Sequence, residues 1–359
     1  MMKKRPSYDG TGLVNLVADI ERRLTGDSPS PVLTDPGAFP DAATYVLVLF
    51  DGLGVAQLEH PGAGAFRAAM TTTLDAPFPT TTSVSLATVA TGLAPSRHGQ
   101  IAHLSWYPDL GKVVNTLKWV TVSGDPVVYD FPGILPEPNL WERLREAGIE
   151  PITVQPGDFT GSPLSRATYR GTRFEGAWDV PDLVDATVFL AGEPGRLIFT
   201  YVPFVDVAGH VFGQGSEEFT GAMQAATTVW EGIAAGVPAG VTLLGTSDHG
   251  LTEVGERDKV LIRDSRFDEL RFAGDPRGIQ LTGRRELMAD LAAETGAVLV
   301  DPLTLIGPDP SEQTRSRLGE TVLLAPPGTA LLPRGFDKRL RCYHGGLSPE
   351  EMEIPLLVG

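Results

Sequence analysis

Five short aliphatic runs without polar alternation constrain this chain more than any other feature. Tyr45–Phe50 (YVLVLF), Pro151–Val154 (PITV), Leu197–Val202 (LIFTYV), Val241–Gly245 (VTLLG) and Ile354–Val358 (IPLLV) read as strands. A strand wetted on one face alternates apolar and polar residues; one covered on both faces does not. Helical patterns stand between the runs. Asn139–Ala147 has Asn139 as N-cap and Gly148 just past its end, and Ser216–Ala235 has Ser216 as cap. This alternation predicts an α/β fold, a doubly wound, mostly parallel sheet covered by helices on both faces. Residues 1–359 read as one domain, and about 255–340, including a helix at Arg284–Glu294, as a small inserted cap.

In such folds ligands sit beyond the carboxyl ends of the strands. Asp51 directly follows the first run, Asp206 and His210 follow the third, and Asp248 and His249 the fourth. These are read as loop residues, with Gly250 allowing a sharp turn, and His344-Gly345-Gly346 comes just before the last run. Carboxylates and imidazoles without thiolates suit Zn²⁺, with Mn²⁺ as the alternative. A hydrogen-bonded loop histidine is the plain reading of each alone. Their joint placement at successive strand ends favours metal binding. His98 before Gly99 reads as structural, and His60 before Pro61 as surface.

The hydroxyl-rich stretch Phe78–Gly92 (FPTTTSVSLATVATG) turns helical after Pro79 and stops at Gly92. A hydroxyl at that helix start faces free backbone N–H groups and the positive dipole end, which favour alkoxide and phosphate oxygens. The plain reading is a threonine N-cap.

Composition narrows the partners. Lys plus Arg number 29 against 45 Asp plus Glu, a net charge of −16, which opposes nucleic acid polymers and anionic membranes. Cys342 is the only cysteine, so no intrachain disulfide forms. Met1–Gly10 (MMKKRPSYDG) has the charges of a signal peptide without its apolar stretch, and no run approaches the ~18 apolar residues of a membrane span. The expected location is the cytoplasm.

Taken in order, DG after a hydrophobic strand, PTTTS…TGLAPSRHG, DVAGH, SDHG and a late HGG resemble the nucleotide pyrophosphatase/phosphodiesterase branch of the alkaline phosphatase superfamily, from Asp51 to His344. The resemblance implies an alkaline-phosphatase-like fold and two divalent metal ions. Asp206, His210 and His344 would hold one, and Asp51, Asp248 and His249 the other. Thr82, nine residues before Thr91 of the TG pair, would be the nucleophile and touch metal. Two cations about 4 Å apart clamp an in-line displacement, and metal activates an otherwise feeble hydroxyl. Attack would give a phosphothreonine at Thr82.

Two positions depart from the family. Ser83 stands where phosphodiesterases carry an aromatic residue, and His103 where they carry an asparagine that holds a phosphate oxygen. His103 is a catalytic and substrate-binding candidate, either a neutral donor or a cation near neutral pH. Arg166, Arg170 and Arg173 would reach a second phosphate, unless they form a solvated basic loop. The reaction implied is hydrolysis of a phosphodiester or pyrophosphate in a small molecule, possibilities including a nucleotide. Phosphonate cleavage, as in phosphonoacetate hydrolase, and monoester hydrolysis are the alternatives. The ending RCYHGGLSPEEMEIPLLV is also similar to PglZ-type defence proteins, a non-enzymatic alternative. No CxPxR-type cysteine motif of sulfatases occurs, and the chain is too short for the large insertion of cofactor-independent phosphoglycerate mutase.

Overall fold

The computed structural model describes residues 5–130 and 132–359; the basic start Met1–Lys4 lies outside the described residues. Five strands run parallel in the order Val241–Thr246, Thr44–Phe50, Arg196–Val202, Glu150–Pro156 and Arg173–Ala177. Glu353–Val358 adds antiparallel to Val241–Thr246, and Met70–Asp75 closes that edge. Every residue of Thr44–Phe50 is buried, as a strand sandwiched between two helical layers must be. One layer packs Leu13–Thr25, Thr82–Thr91 and Leu140–Glu146; the other packs Val180–Ala191 and Glu217–Gly236.

Sequence patterning places the expected helices at Asn139–Ala147, Ser216–Ala235 and Arg284–Glu294 to within a residue or two of Leu140–Glu146, Glu217–Gly236 and Arg285–Thr295. Asn139 and Ser216 accept the capping bonds of Leu140–Glu146 and Glu217–Gly236. A second seven-stranded sheet stands over the carboxyl edge of the first. Segment 255–340 supplies Arg271–Asp275, Gly278–Thr282, Val298–Val300 and Thr321–Leu324. Three more strands, Leu104–Tyr107, Lys112–Asn115 and Val120–Thr121, come from outside the expected cap segment. The join is a single pairing, Gly274 with Leu104.

Strand direction explains where the chemistry gathers. Asp51, Asp206 and Asp248 follow three adjacent parallel strands. Glu353–Val358 runs the opposite way, so His344, which precedes it, reaches the same edge.

Candidate metal centre

Asp51 is held at its strand end by its N–H donating to Val202 O at 2.9 Å, and its own carbonyl accepts from Asp206 N–H at 3.0 Å. Gly52 turns the chain at φ +75, and a Cβ there would lie 2.9 Å from Asp206 Cα. Only glycine allows the two carboxylates to approach this closely. Asp206 and His210 lie on the helix Phe204–Phe212, not in a loop. The four-residue spacing is one helical turn, which places both side chains on one face.

Two groups form. His249 Nε2 lies 3.2 Å from Asp248 Oδ2 and 3.5 Å from Asp51 Oδ1. His210 Nε2 lies 3.2 Å from both Asp206 Oδ1 and His344 Nε2, with His344 Nε2 4.0 Å from the same carboxylate. The rings of His249 and His344 stack at 3.8 Å, and His249 also falls within ligand distance of Asp206 and His344. His249 therefore stands between the groups.

These residues fit divalent cations on three counts. Asp51 Oδ1, Asp206 Oδ1 and Asp248 Oδ2 are buried without a hydrogen-bond donor, an expensive arrangement unless a cation meets them. All three imidazoles use Nδ1 against a backbone carbonyl: His210 to Cys342 O at 2.7 Å, His344 to Thr80 O at 2.8 Å, His249 to Gly250 O at 3.2 Å. A carbonyl only accepts, so each Nδ1 carries the proton and each Nε2 offers its lone pair to the cluster. Thirdly, burial, then Asp248 and Asp206, pushes Asp51 well above the carboxylate range, and burial raises Asp206 too. Burial, then His249 and His210, pushes His344 well below the imidazole range. Neither protonation nor deprotonation settles this cluster; bound cations would.

Thr82 is the first residue of the helix Thr82–Thr91, with Thr81 at the cap position. Its Oγ1 lies 3.2 Å from His249 Nε2 and 3.5 Å from Asp51 Oδ2. It opens onto a cleft of about 570 Å³ between the two sheets, lined also by His103, Asn115, Lys118 and an aliphatic wall of Leu117, Val207 and Val211. Ser83 turns away from the cleft and donates to Ala102 O at 3.3 Å.

His103 lies in the cleft, half-buried. Asn115 Oδ1 accepts from the N–H groups of Leu117 and Lys118, which aims the Asn115 amide at His103 Nε2, 3.1 Å away. That nitrogen therefore accepts, and burial, then His210 and Lys118, holds the imidazole down to about 4. His103 is a neutral group, not a cation, across the physiological range.

The basic loop is not brought to the site. Arg170 is taken up by Glu142, at 2.8 and 3.0 Å, and by Glu137 at 3.1 Å, and Arg166 is exposed on the helix Pro163–Thr168; neither lines the cleft. Glu142 lies 28 residues from Arg170 in the chain, so local sequence concealed the pairing. His60, read as surface, is half-buried against Phe219 at 5.7 Å and caps a short 3-10 turn. His98 is fully buried, with Nε2 3.1 Å from Thr88 Oγ1 and Nδ1 accepting from Gln100 N–H. Sequence reasoning missed Asn115, Lys118 and Tyr201. The Tyr201 hydroxyl donates to Asp51 Oδ2 from within an apolar run where it looked like core.

Among the described residues no helix is long and apolar enough to cross a membrane. No curated protein matches the sequence. In solved structures the fold resembles murine ectonucleotide pyrophosphatase/phosphodiesterase 5, at 18% identity and TM-score 0.61, covering 87% of each chain. A further structure of that murine protein is a complex with AMP. It also resembles phosphonoacetate hydrolase from Sinorhizobium meliloti, at 18% identity and TM-score 0.63, covering 89% of this chain and 91% of that one. The sequence itself matches the type I phosphodiesterase / nucleotide pyrophosphatase family over residues 45–309, which include five of the six candidate ligands and Thr82. The chain therefore belongs to that family, within the alkaline phosphatase superfamily, and is a phosphoric ester hydrolase.

Proposed function

We propose that this chain hydrolyses a phosphodiester or pyrophosphate bond in a small molecule through a covalent adduct on Thr82. The observation carrying this reading is the placement of Thr82 Oγ1 beside His249 and Asp51, among three buried carboxylate oxygens that lack donors. Two divalent ions, zinc by the donor set with manganese as the alternative, would be held by Asp206, His210 and His344 and by Asp51, Asp248 and His249, and would supply Lewis-acid charge to the Thr82 hydroxyl and the phosphoryl oxygens.

The chain's own residues do the rest. Thr82 Oγ1 forms an O–P bond as the bond to the leaving oxygen breaks, and the threonine proton passes through solvent to that oxygen, which departs as the alcohol or phosphate. Water then attacks phosphorus, breaks the Thr82 O–P bond and regenerates the hydroxyl. The first turn of Thr82–Thr91 places its positive dipole end at the phosphoryl oxygens. Neutral His103 and the Asn115 amide offer hydrogen bonds without repelling the cations. The organic group of the substrate would lie against Leu117, Val207 and Val211; with Ser83 turned inward, that position supplies no stacking face for a nucleobase. The acidic surface and the buried Cys342 thiol suit work in the cytoplasm.

The test is acid quench of zinc-loaded protein during turnover of bis-p-nitrophenyl phosphate, then mass spectrometry of the Thr82 peptide. A phosphoryl-ester adduct there, absent in Thr82→Ala, is expected, with turnover down by at least ~10³-fold. Parallel assays with p-nitrophenyl phosphate and phosphonoacetate separate the monoester and phosphonate readings. An unmodified Thr82 with an active Thr82→Ala variant would refute the covalent mechanism.

A further inference from the structure

The turn between Arg271–Asp275 and Gly278–Thr282 descends from the cap sheet to the segment that carries His344. At its tip Arg277 is 2% exposed, yet its guanidinium is engaged on every side. Nε and Nη2 donate to the two oxygens of Glu351 at 3.1 and 2.8 Å, and Nη1 donates to the carbonyls of Pro326 and Thr329 at 2.8 and 2.6 Å. Glu351, 0% exposed, also accepts from Gly346 N–H at 2.9 Å and Ser348 N–H at 3.3 Å. Burial alone would raise this carboxyl, but Arg277 holds it below the usual range.

There is no slack around the His344 segment. Gly345 has φ +106, and a Cβ on it would lie 2.2 Å from Asp275 Cβ; one on Gly346 would lie 2.8 Å from Glu351 Oε2 and 3.2 Å from Arg277 Cβ. Thr80 closes the other side. Its hydroxyl accepts from Gly345 N–H and donates to Gly346 O, both at 3.1 Å, while its carbonyl takes the His344 Nδ1 proton.

A buried ion pair contributes little net stability over a well-packed apolar pair, because desolvation offsets the attraction. What the planar guanidinium fork gives is direction. Here the direction is imposed on the backbone two residues beyond a candidate ligand. We propose that Arg277 is a positioning residue for His344, acting through Glu351 and the Gly346 N–H, so that the cap lobe sets the geometry of a metal site whose ligands all lie outside it. The proposal rests on the reading of His344 as a metal ligand.

The test measures Zn²⁺ affinity by competition with a chromophoric chelator, and urea unfolding, on Arg277→Lys, Arg277→Met and the double variant Arg277→Met/Glu351→Leu. His344→Ala is the reference. Arg277→Met is expected to weaken one of two Zn²⁺ ions by about 10–100-fold and spare the other. Arg277→Lys, which keeps the charge without the fork, should recover part of that loss. The double variant leaves no lone buried charge, so it should regain stability while its Zn²⁺ affinity stays low. It keeps the test decisive even if Arg277→Met does not fold. Wild-type affinity in the double variant, with one ion lost in His344→Ala, would overturn the positioning role alone. Two ions bound normally by His344→Ala would overturn the ligand reading and this proposal with it.

Discussion

Removing the Tyr201 hydroxyl tests how the site is held. Among the described residues Asp51 Oδ2 accepts from Tyr201 O–H and otherwise only from Thr82 Oγ1 at 3.5 Å, while Oδ1 has no donor. The phenol thus fixes which oxygen faces the cluster. Burial first, then Asp51 and Asp248, pushes Tyr201 well above its ordinary range, so it remains a donor throughout the working pH range. Tyr201→Phe keeps the ring, which packs 6.1 Å from Phe159, and deletes one hydrogen bond to a charged group. Such a bond is worth ~1.5–3 kcal/mol, equivalent to roughly 10–150-fold in an equilibrium constant. Outer-shell partners of metal ligands cost about 10–100-fold in affinity when lost, which agrees. The expected result is one Zn²⁺ weakened by about that factor, with turnover recovering as free zinc is raised. Competition against a chelator, followed by activity at several zinc concentrations, measures both. Unchanged affinity for both ions would refute the argument that Tyr201 orients Asp51. Turnover that stays low at saturating zinc would place its role elsewhere.

Two predictions depend on pH. Burial, then Arg317, pushes His98 down to about 3, whereas an unfolded histidine titrates near 6.5. Below pH 6.5 the unfolded chain binds the extra proton, so stability is full above that value and falls by about 1.4 kcal/mol per unit toward pH 3. Urea unfolding should show the gap between wild type and His98→Gln shrinking by about 2 kcal/mol from pH 7 to pH 5; a constant gap would contradict it. For His103, held neutral down to about 4, His103→Asn should change the diester-to-monoester ratio of kcat/KM by the same factor at every pH from 5 to 9. A ratio that swings with pH in wild type and not in the variant would show that His103 carries charge there.

What the sequence disclosed depended on how local each cause was. Asp51, Asp248 and His249 were legible because a strand end places them by chain continuity alone. The Asp206–His210 pair is legible as a pair, although the sequence suggests a loop where a helix forms; the spacing carries the geometry in either case. The helix Leu13–Thr25 carries helical apolar spacing in Leu13, Leu16, Val17 and Ile20, but it precedes the first strand run and so stands outside the strand–helix alternation. Asn115 could not be found this way. It reaches His103 because the strands at 104–107 and 112–115 pair antiparallel, Leu104 opposite Asn115. Arg170 failed for the same reason in reverse: its guanidinium looked available until the helix Leu140–Glu146 set Glu142 against it. Arg277 and Asp275 depend on the packing of two lobes, which no local pattern encodes.

The same geometry resolves an apparent conflict between an acidic chain and an anionic substrate. The three imidazoles turn their Nδ1 protons toward backbone carbonyls, so they bring no positive charge to the cluster as neutral ligands. Once ionised, Asp51, Asp206 and Asp248 put three negative charges at the floor of the cleft, and Lys118 at the rim is exposed and screened. A phosphoester approaching the bare cluster meets repulsion, and the neighbouring helix start contributes only about half a positive charge. Two bound divalent cations would turn those three negative charges into a net positive one. The carboxylates that make the empty site costly are therefore what makes the loaded site attractive. It follows that metal should govern substrate binding as well as turnover, and a chelated protein should fail to bind inorganic phosphate, a product-like anion. Phosphate binding of equal strength with and without zinc, measured by calorimetry, would mean that some other cationic group holds the anion.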